Sequence, residues 1–259
     1  EVQLAGNLGN LWRYLGQRDD AERVLKAGLE QAQTTGDQFM EGSLLLILGE
    51  VALDFADWER AEIALVRALE VAELNQSASE QGESLLALTS LRIEQGRRSD
   101  ALVFGKRALD TAKRTEREAL TSQAHARLAE AYAMDDQDED QAQHHAAAAR
   151  ATVDAISNPD HRWSIHRVAY QAAKRRADEA VMASEAAEVK RLLQRIFDGV
   201  PALYREAFQS QRERHRAWLE AENMTVTPLR LPIDSSRSRE RWTRLLEVSR
   251  RMATEHDPK

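Results

Sequence analysis

Apolar side chains along the first 155 residues recur at helical spacing, in blocks that are separated by short polar breaks. In residues 4–15 a leucine returns every three or four positions, which places the leucines on one face of a helix. The break at residues 16–20, GQRDD, combines a glycine that can end a helix with aspartates that can cap the next one. The pattern therefore predicts helical hairpins joined by short turns.

The blocks repeat with a period of about 40 residues. The small residues that begin the second helix of each hairpin are Ala21, Ala61, Ala101 and Ala142, so their spacing is 40, 40 and 41 residues. Such a period is typical of repeat arrays, in which each unit packs on its neighbours rather than around one central core. Helices approach closely only where the side chains at their crossing are small. We therefore expect four stacked hairpins over residues 1–155.

The chain after residue 155 keeps helical patterns but loses the period. The Asn-Pro-Asp triplet at 158–160 ends the fourth hairpin, because proline stops a helix and an aspartate can cap the next one. Residues 156–222 predict a degenerate fifth hairpin and one closing helix, which would cover the last apolar face of the array. Residues 223–238 predict a linker, and residues 239–259 predict an amphipathic helix that leads towards a missing domain.

Composition excludes several classes of protein. Of the 259 residues, 31% are charged, only 5% are aromatic and none is cysteine, so disulfides and thiolate metal sites are ruled out. No apolar run approaches the roughly 18 residues of a membrane span, and no signal-peptide pattern opens the chain. Because the chain begins inside a helical pattern, we expect it to be an internal piece of a longer protein that does not bind membranes.

Charge is divided unevenly along the chain. Residues 1–160 hold 16 basic and 29 acidic side chains, a net charge of −13, whereas residues 161–259 carry +6, which gives the −7 of the whole. An acidic array argues against nucleic acid as a partner. The basic residues of the second half are mostly single arginines spread through helices, which is typical of a solvated surface.

One acidic turn resembles the start of a calcium-binding loop. Asp136, Asp138 and Asp140 alternate as they do in such a loop. The loop also needs glycine at its sixth position and glutamate at its twelfth, where this chain has Gln141 and Ala147. The stretch therefore predicts a polar turn with a helix cap.

The histidines and one glycine–lysine pair also lack the spacing of a site. His144 and His145 are adjacent and diverge by about 100° on a helix, and His161 and His166 are five residues apart rather than four. Gly105-Lys106 lies inside a helical pattern and lacks the first glycine of a phosphate loop. No nucleophile stands in a motif with a histidine. We therefore expect no enzyme activity, no cofactor and no metal.

The small-residue pattern of residues 1–155 resembles the tetratricopeptide repeat (TPR). The residues at that family's small positions are Gly9, Ala21, Gly28, Gly49, Ala61, Ala68, Ala101 and Ala108. The common repeat has about 34 residues, and the longer form here resembles the arrays of large bacterial signalling regulators. The resemblance implies an all-α fold: a right-handed α-solenoid of TPR-like helical hairpins with a C-terminal capping helix. In such a solenoid the first helix of each hairpin lines a concave groove.

Two C-terminal stretches extend the likeness. Residues 200–208 resemble the closing helix of such arrays, and residues 241–252 resemble the helix that leads into a GAF sensor domain. In those regulators a kinase-like domain often precedes the repeats, and a GAF domain and an activator ATPase of the enhancer-dependent sigma factor often follow. The resemblance therefore implies a non-catalytic interaction module of a cytoplasmic bacterial signalling or transcription-regulatory protein. The alternative is a ligand-sensing array of an NTPase-type transcription activator.

The family's groove positions, carried over by phase, fall on the first helix of each hairpin. They are Asn10, Arg13, Leu46, Glu50, Leu53, Glu83, Leu86, Ser90, Ile93 and Glu130. Glu83 stands where a clamp for a terminal carboxylate would need lysine, so an amphipathic helix or a basic, apolar peptide suits this groove better. The leucines also fit a second interpretation, in which they pack between neighbouring hairpins.

An apolar stripe near the end of the chain has no apolar partner downstream. It consists of Trp242, Leu245, Leu246, Ser249 and Met252, on one face of the last predicted helix. The stripe covers about two heptads, too short for a coiled coil by itself. Two interpretations stand: a linker helix that docks on its own chain or on a lost domain, and a contact in a homodimer.

Overall fold

The computed structural model describes residues 1–222, and within them the chain is all-α. The helices are α1 Val2–Tyr14, α2 Arg18–Thr35, α3 Gln38–Asp54, α4 Trp58–Leu74, α5 Ala78–Glu94, α6 Arg98–Arg114, α7 Glu118–Tyr132, α8 Glu139–Ala151, α9 Pro159–Arg175, α10 Glu179–Gly199, α11 Arg205–Ser210 and α12 Arg212–Glu222. In this part of the chain, no helix has both the length and the apolar character of a membrane span. The predicted linker, the last predicted helix and its Trp242 stripe lie outside the described residues.

The helices pack in chain order and form two rows. Through α10, each helix packs on the next, and the odd-numbered helices α1 to α9 also contact one another in sequence. Over the described residues α2, α4, α6 and α8 do not contact one another to a comparable degree. The odd-numbered helices are thus the more closely spaced row, so we call them the inner row and α2, α4, α6 and α8 the outer row. This packing agrees with the predicted helical repeat array, whereas its right-handedness and the capping role of the last helix stay predictions.

The turns recur every 20 residues with one backbone signature. The residue with positive φ that follows each of the first six helices is Gly16, Gly36, Ala56, Gln76, Gly96 and Glu116 in turn. Glycine adopts this left-handed conformation without the Cβ clash that other residues suffer there. The 40-residue period therefore consists of two equal halves, each holding one helix and one turn.

Replacing Ala56 by glycine is expected to raise the free energy of unfolding by about 0.5–1 kcal/mol. Ala56 has φ 58°, and relief of its left-handed strain outweighs the greater freedom of glycine in the unfolded chain. Urea denaturation measures the change. Ala147→Gly, at an exposed position inside α8, is the control and should lose about 1 kcal/mol. A loss of stability at both positions would contradict the strain at Ala56.

The first three hairpins cross with a glycine on one helix and a larger residue on the other. The pairs are Gly9 with Leu25, Gly49 with Leu65, and Gly105 with Thr89. A Cβ added at Gly9 would lie 2.3 Å from Leu25, and one added at Gly49 would lie 2.5 Å from Leu65. In the third hairpin the glycine is on the second helix, so the two helices have exchanged bulk. A Cβ added at Gly105 would lie 3.4 Å from Thr89 and nearer, at 2.8 Å, to Leu128 of α7.

Apolar contacts join the two ends of the described chain. The ring of Trp12 on α1 meets that of Tyr204 edge-on, with centroids 5.8 Å apart, and the centroids of Tyr14 and Phe208 are 5.4 Å apart. Tyr204 and Phe208 lie in the closing segment, residues 200–222. They belong to one buried cluster with Leu15, which follows α1, and with residues of α10. The first hairpin therefore packs against the closing segment.

The structure differs from the sequence prediction at two junctions. Asn158, rather than Asp160, caps α9: its side chain accepts a hydrogen bond from the Asp160 amide at 2.9 Å, and Pro159 opens the helix. Proline suits this first helical position because the missing amide would have no partner there. The closing segment is two helices instead of one, because Gln211 between them has the extended backbone angles φ −58° and ψ 128°.

Candidate binding groove

The predicted groove residues divide into accessible and buried positions. Those that are at least partly exposed are Asn10, Arg13, Glu50, Leu53, Glu83, Ser90, Ile93 and Glu130. Leu46 and Leu86 are only 7% and 8% exposed and belong to the central apolar cluster, against which Leu53 also packs. These leucines therefore pack between hairpins, as the second interpretation of the sequence had it. A charge introduced at either position would test core packing rather than binding.

Between the first two hairpins, Arg13 bridges two carboxylates of α3. Its Nη1 lies 2.7 Å from Glu50 Oε2, and its Nε lies 2.7 Å from Asp54 Oδ2. Burial opposes the charge of Arg13, but Asp54 and Glu50 outweigh it and raise the arginine pKa. Burial raises the pKa of Glu50 against the pull of Arg13, although 29% of the glutamate side chain meets solvent. These predicted groove residues therefore bind each other across the hairpin boundary.

Similar polar contacts connect the following inner helices. Ser43 of α3 donates a hydrogen bond to Glu80 Oε1 of α5 at 2.6 Å. Arg117, at the start of α7, lies 3.2 Å from Glu83 Oε1 of α5 and also contacts Ser79. Burial raises the pKa of Glu83, and Arg117 offsets part of that rise. The inner row is thus a polar surface whose charges are already matched between hairpins.

A cavity of about 800 Å³ lies beside the inner helices α5, α7 and α9. Its walls include the predicted groove residues Ser90, Ile93 and Glu130, and Arg216 of α12 forms part of its wall. The charged residues that line it are Glu94, Arg127, Glu130, Asp136, Glu139, Arg167, Lys174, Arg175 and Arg216. Its volume falls within the roughly 300–1,000 Å³ of small-molecule sites, but its lining is more highly charged than is usual for them.

Ion pairs organise the walls of this cavity. Arg127 and Arg167 both reach Glu130, and Nη1 of Arg175 lies 3.2 Å from Asp136 Oδ1 and 3.2 Å from Glu139 Oε2. A wall with matched charges of both signs favours a charged ligand. Such a ligand can form new ion pairs with the wall residues whose existing pairs it breaks, so no wall charge is left unpaired. The repeat phase did not assign these arginines to the groove. Their only signal in the sequence was a charged residue within a helical pattern, which many surface positions share.

Helix α12 reaches the inner row through Arg214. The Nη1 of Arg214 donates to the carbonyl oxygen of Tyr14, at the end of α1, at 2.9 Å, and its Nη2 lies 3.3 Å from Asp160 Oδ1 of α9. The guanidinium also lies over the rings of Tyr14 and Phe208, 4.5 Å and 4.2 Å from their centroids. Arg214 therefore joins α12 to both ends of the inner row.

Two further side chains of α12 reach other inner helices. Nη1 of Arg216 lies 3.7 Å from Glu94 Oε1 of α5, and Glu220 Oε2 accepts a hydrogen bond from Nε of Arg167 of α9 at 3.0 Å. On its other side α12 packs on α10, where the rings of Trp218 and Phe197 have centroids 5.8 Å apart. A helix of the chain itself thus lies against the inner row, between it and α10.

A histidine pair lies between α7 and α8. The Nδ1 atoms of His125 and His145 are 2.8 Å apart, and Tyr132 stacks on His145 with centroids 5.4 Å apart. Burial lowers the pKa of both histidines, that of His145 to about 4, so both rings are neutral at pH 7. Over residues 1–222, no group of three or more histidine or acidic side chains is arranged to hold a metal ion.

No protein-family model and no curated protein matches this chain. The TPR resemblance therefore stays a prediction, based on the repeated small residues such as Ala21, Ala61 and Ala101 and on the 40-residue period.

Proposed function

We propose that this chain is a non-catalytic protein-interaction and regulatory module, a TPR-like array that binds a peptide, a protein segment or a flanking domain on its inner row. One observation supports the proposal above the others: α12 already lies on that surface, with Arg214 near Asp160 and Arg216 near Glu94. A helix that lays one face on a concave surface is a common mode of peptide recognition. The contacts of α12 therefore support a helical ligand as the occupant of this surface.

The wider setting of the proposal comes from the family resemblance. It is a cytoplasmic bacterial signalling or transcription-regulatory protein in which the array lies between a kinase-like domain and a sensor domain. Nucleic acid and membrane are not partners in this proposal. The Trp242 stripe would then dock on a neighbouring domain or join two copies of the chain.

The cavity beside α5, α7 and α9 favours a second candidate function. Its volume of about 800 Å³ and its charged lining suit a small charged molecule. In that case the array would be the ligand sensor of an NTPase-type transcription activator.

Blocking the cavity should separate binding on the inner row from binding elsewhere. Gln171 of α9 lines the cavity, so Gln171→Trp is expected to weaken a partner bound there at least tenfold, because the larger ring fills the space. Gln31→Trp makes the same chemical change at an exposed position of the outer row and is the control. Proteins retained from a cell extract by each immobilised chain, quantified by mass spectrometry, give the comparison.

A protein retained by the wild type and by Gln31→Trp, but lost from Gln171→Trp, would support the interaction module. Equal retention by all three chains would place binding outside the cavity and contradict the proposal. Isothermal titration with protein-free metabolite fractions tests the second candidate. Heat released by the wild type and abolished by Gln171→Trp would favour the sensor array.

A further inference from the structure

We propose that the surface beneath α12 is a docking site for an arginine-bearing helix of a partner, and that α12 is its internal occupant, which the partner displaces. The inference rests on the proposed function in one respect, the use of the inner row for binding. It adds the chemistry of the ligand and a regulatory step, because α12 would occupy the docking site until a partner helix that binds more tightly displaces it.

The contacts of α12 with the inner row are polar, whereas towards α10 its Ala217 and Trp218 join the apolar cluster. Arg214, Arg216 and Glu220 reach acceptors or donors on three inner helices. Ala217 is 1% exposed, whereas Leu219 is 47% exposed. On its inner-row side α12 is held by ion pairs and hydrogen bonds at a wet surface, which contribute less than a wide apolar face would. Exchange for another helix is therefore energetically accessible.

The chain changes direction immediately before α12. Phe208 of α11 is only 1% exposed and belongs to the buried cluster that includes α1 and α10. Gln211 then takes up extended backbone angles, and α12 starts at the next residue. The ring of Phe208 meets Tyr14 of α1 and Phe197 of α10, with centroids 5.4 Å and 6.4 Å apart. These contacts hold α11 in place without α12, so α12 can leave the surface as a unit, taking Arg214 from the ring of Phe208, while α11 stays attached.

The groups that receive α12 define the chemistry of the partner. Asp160 and Glu94 supply carboxylates, and the carbonyl oxygen of Tyr14 supplies the negative end of the α1 dipole. Arginine suits such acceptors better than lysine, because its planar fork can bond to two of them at once. The ligand is therefore a helix with arginines near one end and a small residue that allows close approach, as Ala217 does here.

Release of α12 would also enlarge the cavity. Arg216 contributes to its wall next to Glu94, with Ser90 and Ile93 on the same inner helix α5. Departure of α12 removes that guanidinium and exposes the row between α5 and α9. Partner binding and cavity opening are thus coupled through one side chain.

The full chain tests this inference with a synthetic, fluorescein-labelled peptide of residues 211–222 as the probe. The variant R214E/R216E reverses both arginine contacts, and R107E/R114E makes the same charge change at exposed positions of α6 in the outer row. Hydrogen exchange reports whether α12 is released, and fluorescence anisotropy reports whether the peptide binds. We expect R214E/R216E to speed exchange in α12 at least tenfold and to bind the peptide at least tenfold more tightly than the wild type. The control should match the wild type in both measurements.

Unchanged exchange in R214E/R216E would overturn the role of the arginines, and released α12 without tighter peptide binding would overturn the docking site. If R214E/R216E unfolds, a charge swap that combines Arg216→Glu with Glu94→Arg decides the case. Hydrogen exchange in α12 should be slower in the swapped variant than in Arg216→Glu alone. Equal exchange rates in these two variants would overturn the proposal. Suppose the peptide fails to bind while a partner is still lost only from Gln171→Trp. That combination would support the interaction module and contradict the role of α12 as its internal ligand.

Discussion

Glu185→Ala is expected to lower the free energy of unfolding by about 3 kcal/mol. Glu185 of α10 is 6% exposed, its Oε2 lies 2.6 Å from Nδ1 of the buried His166, and its Oε1 accepts from Nε of Arg150 at 2.9 Å. Removal of the carboxylate leaves His166 inside the protein without that partner, which is the costly way to break a buried pair. Urea denaturation followed by circular dichroism measures the loss.

The same substitution should change the response to acid. Burial acts to raise the pKa of Glu185, but hydrogen bonds from His166 and Arg150 outweigh it and lower the pKa. A lowered carboxyl pKa stabilises the fold above the ordinary value of about 4.3, and that stability is lost as the pH falls through the folded-state pKa. The difference between wild type and variant should therefore be full at pH 7 and shrink below about pH 4.

Glu188→Ala is the matched control on the same helix. The side chain of Glu188 is 31% exposed and pairs with Arg191, so its loss should cost no more than about 1 kcal/mol. If both alanine variants lose the same stability, burial is not what distinguishes Glu185.

Alanine at Gly9 and alanine at Gly6 are expected to change stability in opposite directions. A Cβ at Gly9 would lie 2.3 Å from Cγ of Leu25, a fully buried side chain, so Gly9→Ala should lose about 1–3 kcal/mol through overpacking. A Cβ at Gly6 would meet Leu44 at 3.6 Å and Ile47 at 3.7 Å, which is ordinary contact. Gly6→Ala should therefore gain up to about 1 kcal/mol, since alanine favours the helix.

Thermal and urea denaturation of the two variants measure this pair of effects. Both glycines lie in α1, three residues apart, so the comparison cancels differences in helix position. Equal gains at both positions would mean that the α1–α2 crossing has room for a methyl group at Gly9.

The hairpins of the first half could be predicted because their signals are local. Apolar periodicity and small residues such as Ala61 recur in phase, and each hairpin packs mainly on its neighbours. The division of the period into equal halves was not predicted, because Ala56, Gln76 and Glu116 occupy left-handed turn positions without being glycine. Their backbone conformation is set by the packing of the helices on either side.

The groove could be predicted only in part. Ser90, Ile93 and Glu130, which the repeat phase placed in the groove, line the cavity beside the inner row, and their role in binding a partner stays a prediction. The position of α12 could not be predicted, because the contact between Arg214 and Tyr14 joins residues 200 positions apart in sequence. Such a contact depends on the curvature of the whole stack, which no short stretch of sequence encodes.

The exchange of bulk at the hairpin crossings sets the smallest segment that can be duplicated or recombined within this array. Gly49 faces Leu65 in the second hairpin, whereas Thr89 faces Gly105 in the third. Moving one helix alone would bring Thr89 against Leu65, which is overpacked, or Gly49 against Gly105, which leaves a void. Moving both helices of a hairpin keeps its own crossing filled, but Gly105 also receives Leu128 of α7, which would lie 2.8 Å from a Cβ added there. The smallest exchangeable segment is therefore a whole hairpin, and at the third hairpin it includes the following helix α7.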